Sequence, residues 1–204
     1  TVEMEYVQDV LTAVAMLKAD PRFDAGRVFI AGHSQGGMLA PRFVDEGADV
    51  AGLMLLAGTS RSMSDLLYDQ QQLALEAAGE AAGDPVQAQG MYDAWREEVD
   101  AVYEMSRDEA KAHEALYGGA YPALYLYDMH HYTDAITLLN ENGLPLLIMQ
   151  GENDWQVYAD KDFVLYEEGL KDRDDVTFRL YPDLSHIFMP SEAETINDAV
   201  LEYN

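Results

Sequence analysis

The sequence contains no cysteine, no long apolar run and few basic residues. Without cysteine there is no disulfide framework, no thiol nucleophile and no cysteine-ligated metal site. No stretch approaches the roughly 18 consecutive apolar residues of a membrane span, and the first ten residues lack the basic and then apolar pattern of a secretory signal. The sequence therefore shows no targeting signal and does not determine the cellular compartment, although the cytoplasm is slightly favoured.

The shortage of basic residues leaves a strongly negative chain. Lysine and arginine number 12 against 38 aspartates and glutamates, which gives a formal charge of −26. Nucleic acids and anionic membrane surfaces would repel such a chain, so neither is expected as a partner. The acidic residues are scattered and do not form one long tail, which is typical of a strongly solvated surface.

The order of apolar segments predicts an α/β fold with a parallel sheet. At 204 residues and 49% hydrophobic, the chain is long enough for one sizeable core. Three short apolar runs closed by glycine are typical of parallel strands buried on both faces, and a fourth run alternates as expected nearer a sheet edge. These runs are RVFIAG, VAGLMLLAG, LPLLIMQG and VTFRLYP. Helical patterns over residues 4–19, 35–46, 158–170 and 191–202 precede, separate or follow them.

A long insertion interrupts the strand pattern at residues 61–140. It is rich in alanine, glutamate, methionine and tyrosine, and Tyr92, Trp95, Val99 and Val102 fall on one helical face. Glycines and proline in AAGDPVQ and YGGAYP break it into several short helices. We therefore expect residues 1–60 and 141–204 to form the core and residues 61–140 to form a helical cap.

The stretch Gly32-His33-Ser34-Gln35-Gly36 fits the G-x-S-x-G pattern of a nucleophile elbow. In this strained turn from strand to helix, small flanking residues let the backbones approach and expose the serine. The pattern predicts that Ser34 Oγ stands above the carboxyl edge of the sheet. The backbone N–H of Gln35 then points toward the oxygen of a reacting carbonyl, where it serves as an oxyanion donor.

An acid and a base for Ser34 follow on later strand ends. GENDWQV places Asp154 after the third apolar run, and PDLSHIF places His186 after the fourth. Because parallel strands end at the same edge of the sheet, the three side chains are expected to converge, with His186 as base and Asp154 holding its tautomer. Glu152 and Asp183 are the alternative carboxylates.

The elbow, the acid loop LPLLIMQGENDWQV and the histidine loop VTFRLYPDLSHIFM together resemble the α/β-hydrolase superfamily. Within it they are similar to bacterial carboxylesterases related to dienelactone hydrolases and serine aminopeptidases. The resemblance covers about residues 4–60 and 141–203. It implies hydrolysis of a small carboxylic ester by Ser34, Asp154 and His186 through an acyl-enzyme, with no cofactor and no metal.

One departure from that family concerns the strands before the nucleophile. Hydrolases of this fold begin with several strands and a loop that donates the second oxyanion N–H, whereas only a helical pattern precedes RVFIAG here. We therefore expect the chain to be the C-terminal part of the fold, with the second donor outside it. A missing N-terminal segment, another chain or a swapped partner would complete the sheet.

Residues outside the triad carry weaker expectations. His33 is expected to face away and pack, and the adjacent His130 and His131 to point different ways and share no metal. A dense set of tyrosines over residues 117–132 is compatible with two roles, packing within the cap or forming the wall of an acyl or aryl pocket. The residues named for substrate binding are Tyr125, Tyr127, His131 and Trp155.

Three functions stay open at this point. An esterase is the first expectation. A serine peptidase or amidase of the same fold would use the same triad, and a non-catalytic binding fragment is compatible with an incomplete oxyanion hole.

Overall fold

A computed structural model describes residues 1–78 and 84–202 of the chain. The chain divides into two compact units. The sheet unit consists of residues 3–60 and 133–192, and the helical unit consists of the described residues within 1–2, 61–132 and 193–204. Residues 133–140, which the sequence grouped with the insertion, fold with the sheet unit. A cap role for residues 61–140 stays a prediction.

Among the described residues, four parallel strands form one sheet with the order β1-β2-β3-β4. They are β1 (Ile30–His33), β2 (Leu53–Leu56), β3 (Leu146–Gly151) and β4 (Val176–Tyr181). The register pairs Leu146 with Leu53 on one side and with Val176 on the other. The predicted α/β class and parallel sheet are confirmed, as is the edge position of the alternating fourth strand.

The helices of the described ranges follow in chain order. They are α1 (Gln8–Ala19), α2 (Gln35–Asp45), α3 (Met63–Ala78), α4 (Pro85–Tyr103), α5 (Arg107–Ala112), α6 (Ala123–His130), α7 (Ala135–Asn142), α8 (Val164–Gly169) and α9 (Ile196–Glu202). π-Helical turns at Glu3–Val7 and Ala159–Phe163 lead into α1 and α8. None of the described helices combines the length and the apolar character that crossing a bilayer requires.

The core of the sheet unit lies around β2 and β3. Leu53, Leu55, Leu146 and Ile148 are all buried there, because both strands have a neighbour on each side. The first apolar run differs from the prediction of burial on both faces. Within β1 the burial alternates, and the preceding Phe29 is 50% exposed. The reason is position, since β1 pairs with β2 and the described residues place no strand on its other side.

The helical unit is built from α3 to α6 with α9. Helix α3 packs against α4, α6 and α9, while α6 also contacts α4 and α5. Val99 and Val102 are fully buried on α4, which confirms the helical face predicted for them. Asp84 caps α4 by accepting hydrogen bonds from the N–H groups of Val86 and Gln87. The first part of the predicted AAGDPVQ break lies outside the described residues.

The last helix begins later than the sequence predicted. The pattern indicated a helix from residue 191, but α9 starts at Ile196. Two contacts explain the shift. Ser191 N–H donates to the Asp183 carbonyl oxygen at 2.8 Å, which holds residue 191 in the sheet unit. Thr195 Oγ1 accepts from the Asp198 N–H at 3.2 Å and so caps the start of the helix.

Candidate active site

Ser34 is the single residue between β1 and α2. Its backbone has φ 55° and ψ −118°, a conformation that L-residues rarely adopt and that marks local strain. The Ser34 N–H donates to the Leu56 carbonyl at 2.8 Å, and the Ser34 carbonyl accepts from the Met38 N–H at 3.0 Å. One residue therefore closes the strand ladder and opens the helix, as predicted for the elbow.

Close backbone contact explains two of the three glycines around Ser34. A Cβ on Gly32 would lie 2.1 Å from the Gly36 carbonyl oxygen, and a Cβ on Gly37 would lie 3.1 Å from both the Gly32 oxygen and Gly58 Cα. A Cβ on Gly36 would have no heavy atom of the described residues within 4 Å apart from its chain neighbours and the backbone of its own helix. The turn therefore requires glycine at positions 32 and 37. Gly36 matters because its carbonyl oxygen occupies the space that a side chain at position 32 would need.

Gln35 occupies the first position of α2. The first N–H groups of a helix have no acceptor within the helix, and the helix dipole favours negative charge at this end. The predicted oxyanion donor, the Gln35 N–H, thus belongs to a helix start that directly follows Ser34. The function of the Gln35 N–H in an oxyanion hole stays a prediction.

Asp154 is a carboxylate with no solvent exposure. Its Oδ1 accepts hydrogen bonds from the backbone N–H groups of Gln156 at 2.8 Å and Val157 at 2.9 Å. Its Oδ2 accepts from Gln150 Nε2 at 2.7 Å and contacts His186 Nδ1 at 2.9 Å. A carboxylate offers about four lone-pair sites, so this buried charge is fully hydrogen-bonded.

The bond to Asp154 fixes which nitrogen of the neutral His186 ring carries the proton. A carboxylate only accepts, so Nδ1 carries the proton and donates it to Oδ2, which leaves Nε2 as the acceptor of the neutral ring. The ring is buried, with 6% of the side chain exposed. The structure therefore brings the predicted acid and base together. The described residues include no hydrogen bond between Ser34 Oγ and this ring.

The two alternative carboxylates lie elsewhere on the same loops. Glu152 and Asp183 are both exposed and line an open depression of ≈ 550 Å³ with Asn153, Pro190, Ser191 and Glu192. Among the three carboxylates that the sequence offered, Asp154 is the one hydrogen-bonded to His186.

His33 does not simply face away from the site, as the sequence suggested. Its Nε2 donates to the backbone carbonyl oxygen of His186 at 2.7 Å, and the two imidazole centroids are 4.8 Å apart. The last residue of β1 therefore contacts the loop that carries the base. The motif gave no signal for this contact, because it joins residues 153 positions apart.

Asn153 and Gln150 are two further site residues that sequence reasoning missed. Asn153 N–H donates to the Leu184 carbonyl at 3.0 Å, and its side-chain amide donates to the Ser191 carbonyl at 3.0 Å. These bonds tie the acid loop to the histidine loop. For Gln150 the sequence did carry a signal, a polar residue at the end of an otherwise apolar strand.

The residues predicted to bind substrate are distributed over both units. Trp155 lies in the sheet unit, where its indole N–H donates to Asn153 Oδ1 at 3.1 Å. Tyr125, Tyr127 and His131 lie in the helical unit. Tyr125 is buried, and the Tyr127 ring stacks on the His131 ring at 4.0 Å. Binding of substrate by these four residues stays a prediction.

The adjacent histidines of the helical unit make separate aromatic contacts. The His130 ring stacks on Tyr103 at 3.8 Å, while His131 stacks on Tyr127. Burial, and then the neighbouring His131, lower the pKa of His130. The two histidine rings also contact each other edge to face, with 5.1 Å between their centroids.

Known proteins resemble this chain in sequence and in fold. Residues 3–194 match the family model described as serine aminopeptidase, S33. Esterase EstD of Thermotoga maritima is 28% identical over 195 residues, which make up 96% of this chain and 43% of EstD. The chain thus spans less than half the length of this curated relative.

Two solved esterases share the fold. Esterase Pf2001 of Pyrococcus furiosus superposes with a TM-score of 0.52 at 16% identity, covering 92% of this chain and 56% of that one. Est1E from Butyrivibrio proteoclasticus gives a TM-score of 0.55 at 14% identity, covering 89% and 61%. The parallel sheet, the turn at Ser34 and a family match over nearly the whole chain lead to one conclusion: the chain belongs to the serine aminopeptidase S33 family of α/β-hydrolases.

Proposed function

We propose that the chain carries the catalytic triad of an esterase that hydrolyses small carboxylic esters, with Ser34 as nucleophile, His186 as general base and Asp154 as its orienting acid. The hydrogen bond of 2.9 Å between His186 Nδ1 and the buried Asp154 carboxylate carries the proposal. Further support comes from the strained turn at Ser34 and from the esterase EstD among the relatives.

The proposed reaction is acyl transfer in two steps. His186 Nε2 takes the proton of Ser34 Oγ as that oxygen attacks the ester carbonyl carbon, and the carbonyl electron pair moves onto oxygen. When the tetrahedral intermediate collapses, the bond to the alkoxy group breaks and the His186 proton passes to the leaving alcohol. Water then repeats the sequence on the acyl-enzyme, releases the carboxylic acid and restores the hydroxyl of Ser34.

In this mechanism the oxyanion is held first by the Gln35 N–H at the start of α2. The second donor, we propose, comes from a segment or chain outside residues 1–204 that pairs with the edge of β1 on which the described residues place no strand. The exposed Phe29 beside that edge supports this. Loss of one oxyanion donor costs about 10² to 10³ in kcat, so the isolated chain is expected to turn over esters slowly.

Amide hydrolysis is the second candidate, and the family description favours it, since it names an aminopeptidase. The two activities separate by leaving group. A p-nitrophenyl ester turned over far faster than the matching p-nitroanilide supports an esterase, and the reverse ratio supports a peptidase.

Labelling with a fluorophosphonate, followed by peptide mass analysis, tests the proposal. We expect an adduct on Ser34 that is lost in Ser34→Ala. The variant Ser106→Ala is a matched control, because it removes a serine that caps α5 in the other unit. It should label like the unaltered chain. An adduct on another residue would assign a different nucleophile, and no adduct at all would favour a non-catalytic binding fragment.

A further inference from the structure

Gln150 places an amide in the buried end of β3. The residue is 1% exposed, in a strand whose other side chains are apolar apart from the terminal Gly151. A buried amide is costly unless its polar atoms are hydrogen-bonded. The hydrogen-bond partners of the Gln150 amide therefore indicate the role of the residue.

Three oxygens surround the Gln150 amide nitrogen. Nε2 lies 2.7 Å from Asp154 Oδ2, 2.9 Å from the Val157 carbonyl oxygen and 3.3 Å from the Gly151 carbonyl oxygen. All three can only accept, so the NH₂ group and not the amide oxygen must face them, which fixes the orientation of the amide. The shortest of the three bonds goes to the carboxylate.

The Asp154 oxygen that Gln150 contacts is also the one that contacts His186. Oδ2 accepts from Gln150 Nε2 and from His186 Nδ1, whereas Oδ1 accepts from two backbone N–H groups of its own loop. Among the described residues, Gln150 is therefore the one residue of β3 whose side chain is hydrogen-bonded to Asp154 Oδ2. Rotation of the carboxylate away from His186 would break this hydrogen bond.

We propose that Gln150 is a positioning residue for the reaction: it holds Asp154 Oδ2 on the His186 Nδ1 proton and so keeps Nε2 directed at the nucleophile. The inference rests on the proposed function. Through Val157, the same amide also holds the loop that follows Asp154. A side chain that served the loop alone would need only the bond to the Val157 carbonyl.

Three variants separate these roles. Gln150→Met keeps length and volume but removes both N–H donors. In Gln150→His, the ring nitrogen Nε2 is as many bonds from Cα as the glutamine Nε2 is. Its N–H can therefore still donate to Asp154 Oδ2, but the Val157 carbonyl loses its donor. Thr59→Val is the matched control, since Thr59 is also buried and its hydroxyl donates to a buried carboxylate, Asp162, at 2.5 Å.

We expect Gln150→Met to lower kcat for a p-nitrophenyl ester, and the rate of fluorophosphonate labelling, by roughly 10- to 100-fold with KM little changed, because small displacements of a catalytic group have effects of this size. Gln150→His should recover most of that loss. Thr59→Val should lower the melting temperature and leave kcat unchanged. Full kcat in Gln150→Met, or no recovery in Gln150→His, would overturn the inference.

Proton NMR gives a readout that does not depend on turnover. The His186 Nδ1 proton shared with Asp154 should resonate far downfield, and the resonance should shift or vanish in Gln150→Met, return in Gln150→His and persist in Thr59→Val. If the resonance is unchanged in Gln150→Met, Gln150 does not position Asp154. If the unaltered chain shows the resonance but Ser34 is never labelled, the proposed function fails instead.

Discussion

Gly151 lies against the backbone of Leu184 so closely that a Cβ on Gly151 would sit 2.1 Å from the Leu184 carbonyl oxygen. Gly151 ends β3, just before the loop of Asp154, and Leu184 precedes His186 on the histidine loop. The atoms nearest to such a Cβ are backbone atoms of Leu184 and Ser185, which cannot move aside as the end of a flexible side chain can. This contact sets how closely the acid and base loops approach.

Gly151→Ala should therefore damage both stability and activity. The added methyl group forces the histidine loop away from Asp154, so we expect a lower melting temperature by circular dichroism and a large loss of Ser34 labelling. Gly90→Ala is the control, since a Cβ there meets no heavy atom of the described residues within 4 Å other than its chain neighbours and the backbone of its own helix. Normal labelling in Gly151→Ala would show that the two loops adjust to each other freely.

The elbow glycines provide a matched pair of alanine substitutions. Gly32→Ala places a Cβ 2.1 Å from the Gly36 oxygen and should prevent correct formation of the turn at Ser34. Gly36→Ala meets open space in helix α2, where alanine is favoured over glycine by about 0.5–1 kcal/mol, and should be neutral or stabilising. Chemical denaturation measures both free energies of unfolding. Equal destabilisation by the two variants would refute the steric explanation.

Asp154→Asn should abolish most activity and also lower stability, because the asparagine NH₂ at the Oδ2 position faces the NH₂ of Gln150. Two backbone N–H groups face Oδ1, so the asparagine oxygen takes that position and its NH₂ faces His186. His186 must then accept at Nδ1 and carry its proton on Nε2, which can no longer take the proton of Ser34. We expect kcat to fall by about 10⁴. Glu152→Gln, at an exposed carboxylate, should leave kcat unchanged, and the opposite pattern would reassign the acid.

Tyr117 should make the helical unit sensitive to alkali. The pKa of Tyr117 is raised to about 12 from an ordinary 10.0, and burial of the side chain is the largest cause of this shift. The folded chain therefore holds the phenol proton more tightly than the unfolded chain. The resulting stability is fully present below pH 10 and is lost as the pH rises toward 12. In Tyr117→Phe the fall of the unfolding free energy between these pH values should be shallower. An identical slope in both proteins would contradict this.

The sequence was sufficient for the elements that short patterns encode. Runs of apolar residues closed by glycine located the strands, and Gly32 to Gly36 located the turn. The order of Ser34, Asp154 and His186 after β1, β3 and β4 pointed to the acid that the structure places against the base. In each case the information lies within a few residues or in the known geometry of parallel strands.

What the sequence could not supply depends on pairs of residues that are distant along the chain. The contact of His33 with the His186 carbonyl, and that of Gly151 with Leu184, exist only once the sheet has formed. The edge position of β1, by contrast, was expected from the sequence, because only a helical pattern precedes RVFIAG. The late start of α9 reflects a backbone bond between Ser191 and Asp183 that no helical periodicity reports.

The edge position of β1 gives neighbouring residues of one strand opposite behaviour in hydrogen exchange. The N–H groups of Ile30 and Ser34 donate to β2 or the residue before it, so by alternation those of Ala31 and His33 face away from β2. Amide protons of Ala31 and His33 should exchange quickly with solvent, and those of Ile30 and Ser34 slowly. A strand added at this edge would erase the alternation while leaving the Ser34 amide as it was. The exchange rates of the Ala31 and His33 amides, next to the nucleophile, therefore show whether a further strand is paired with this edge.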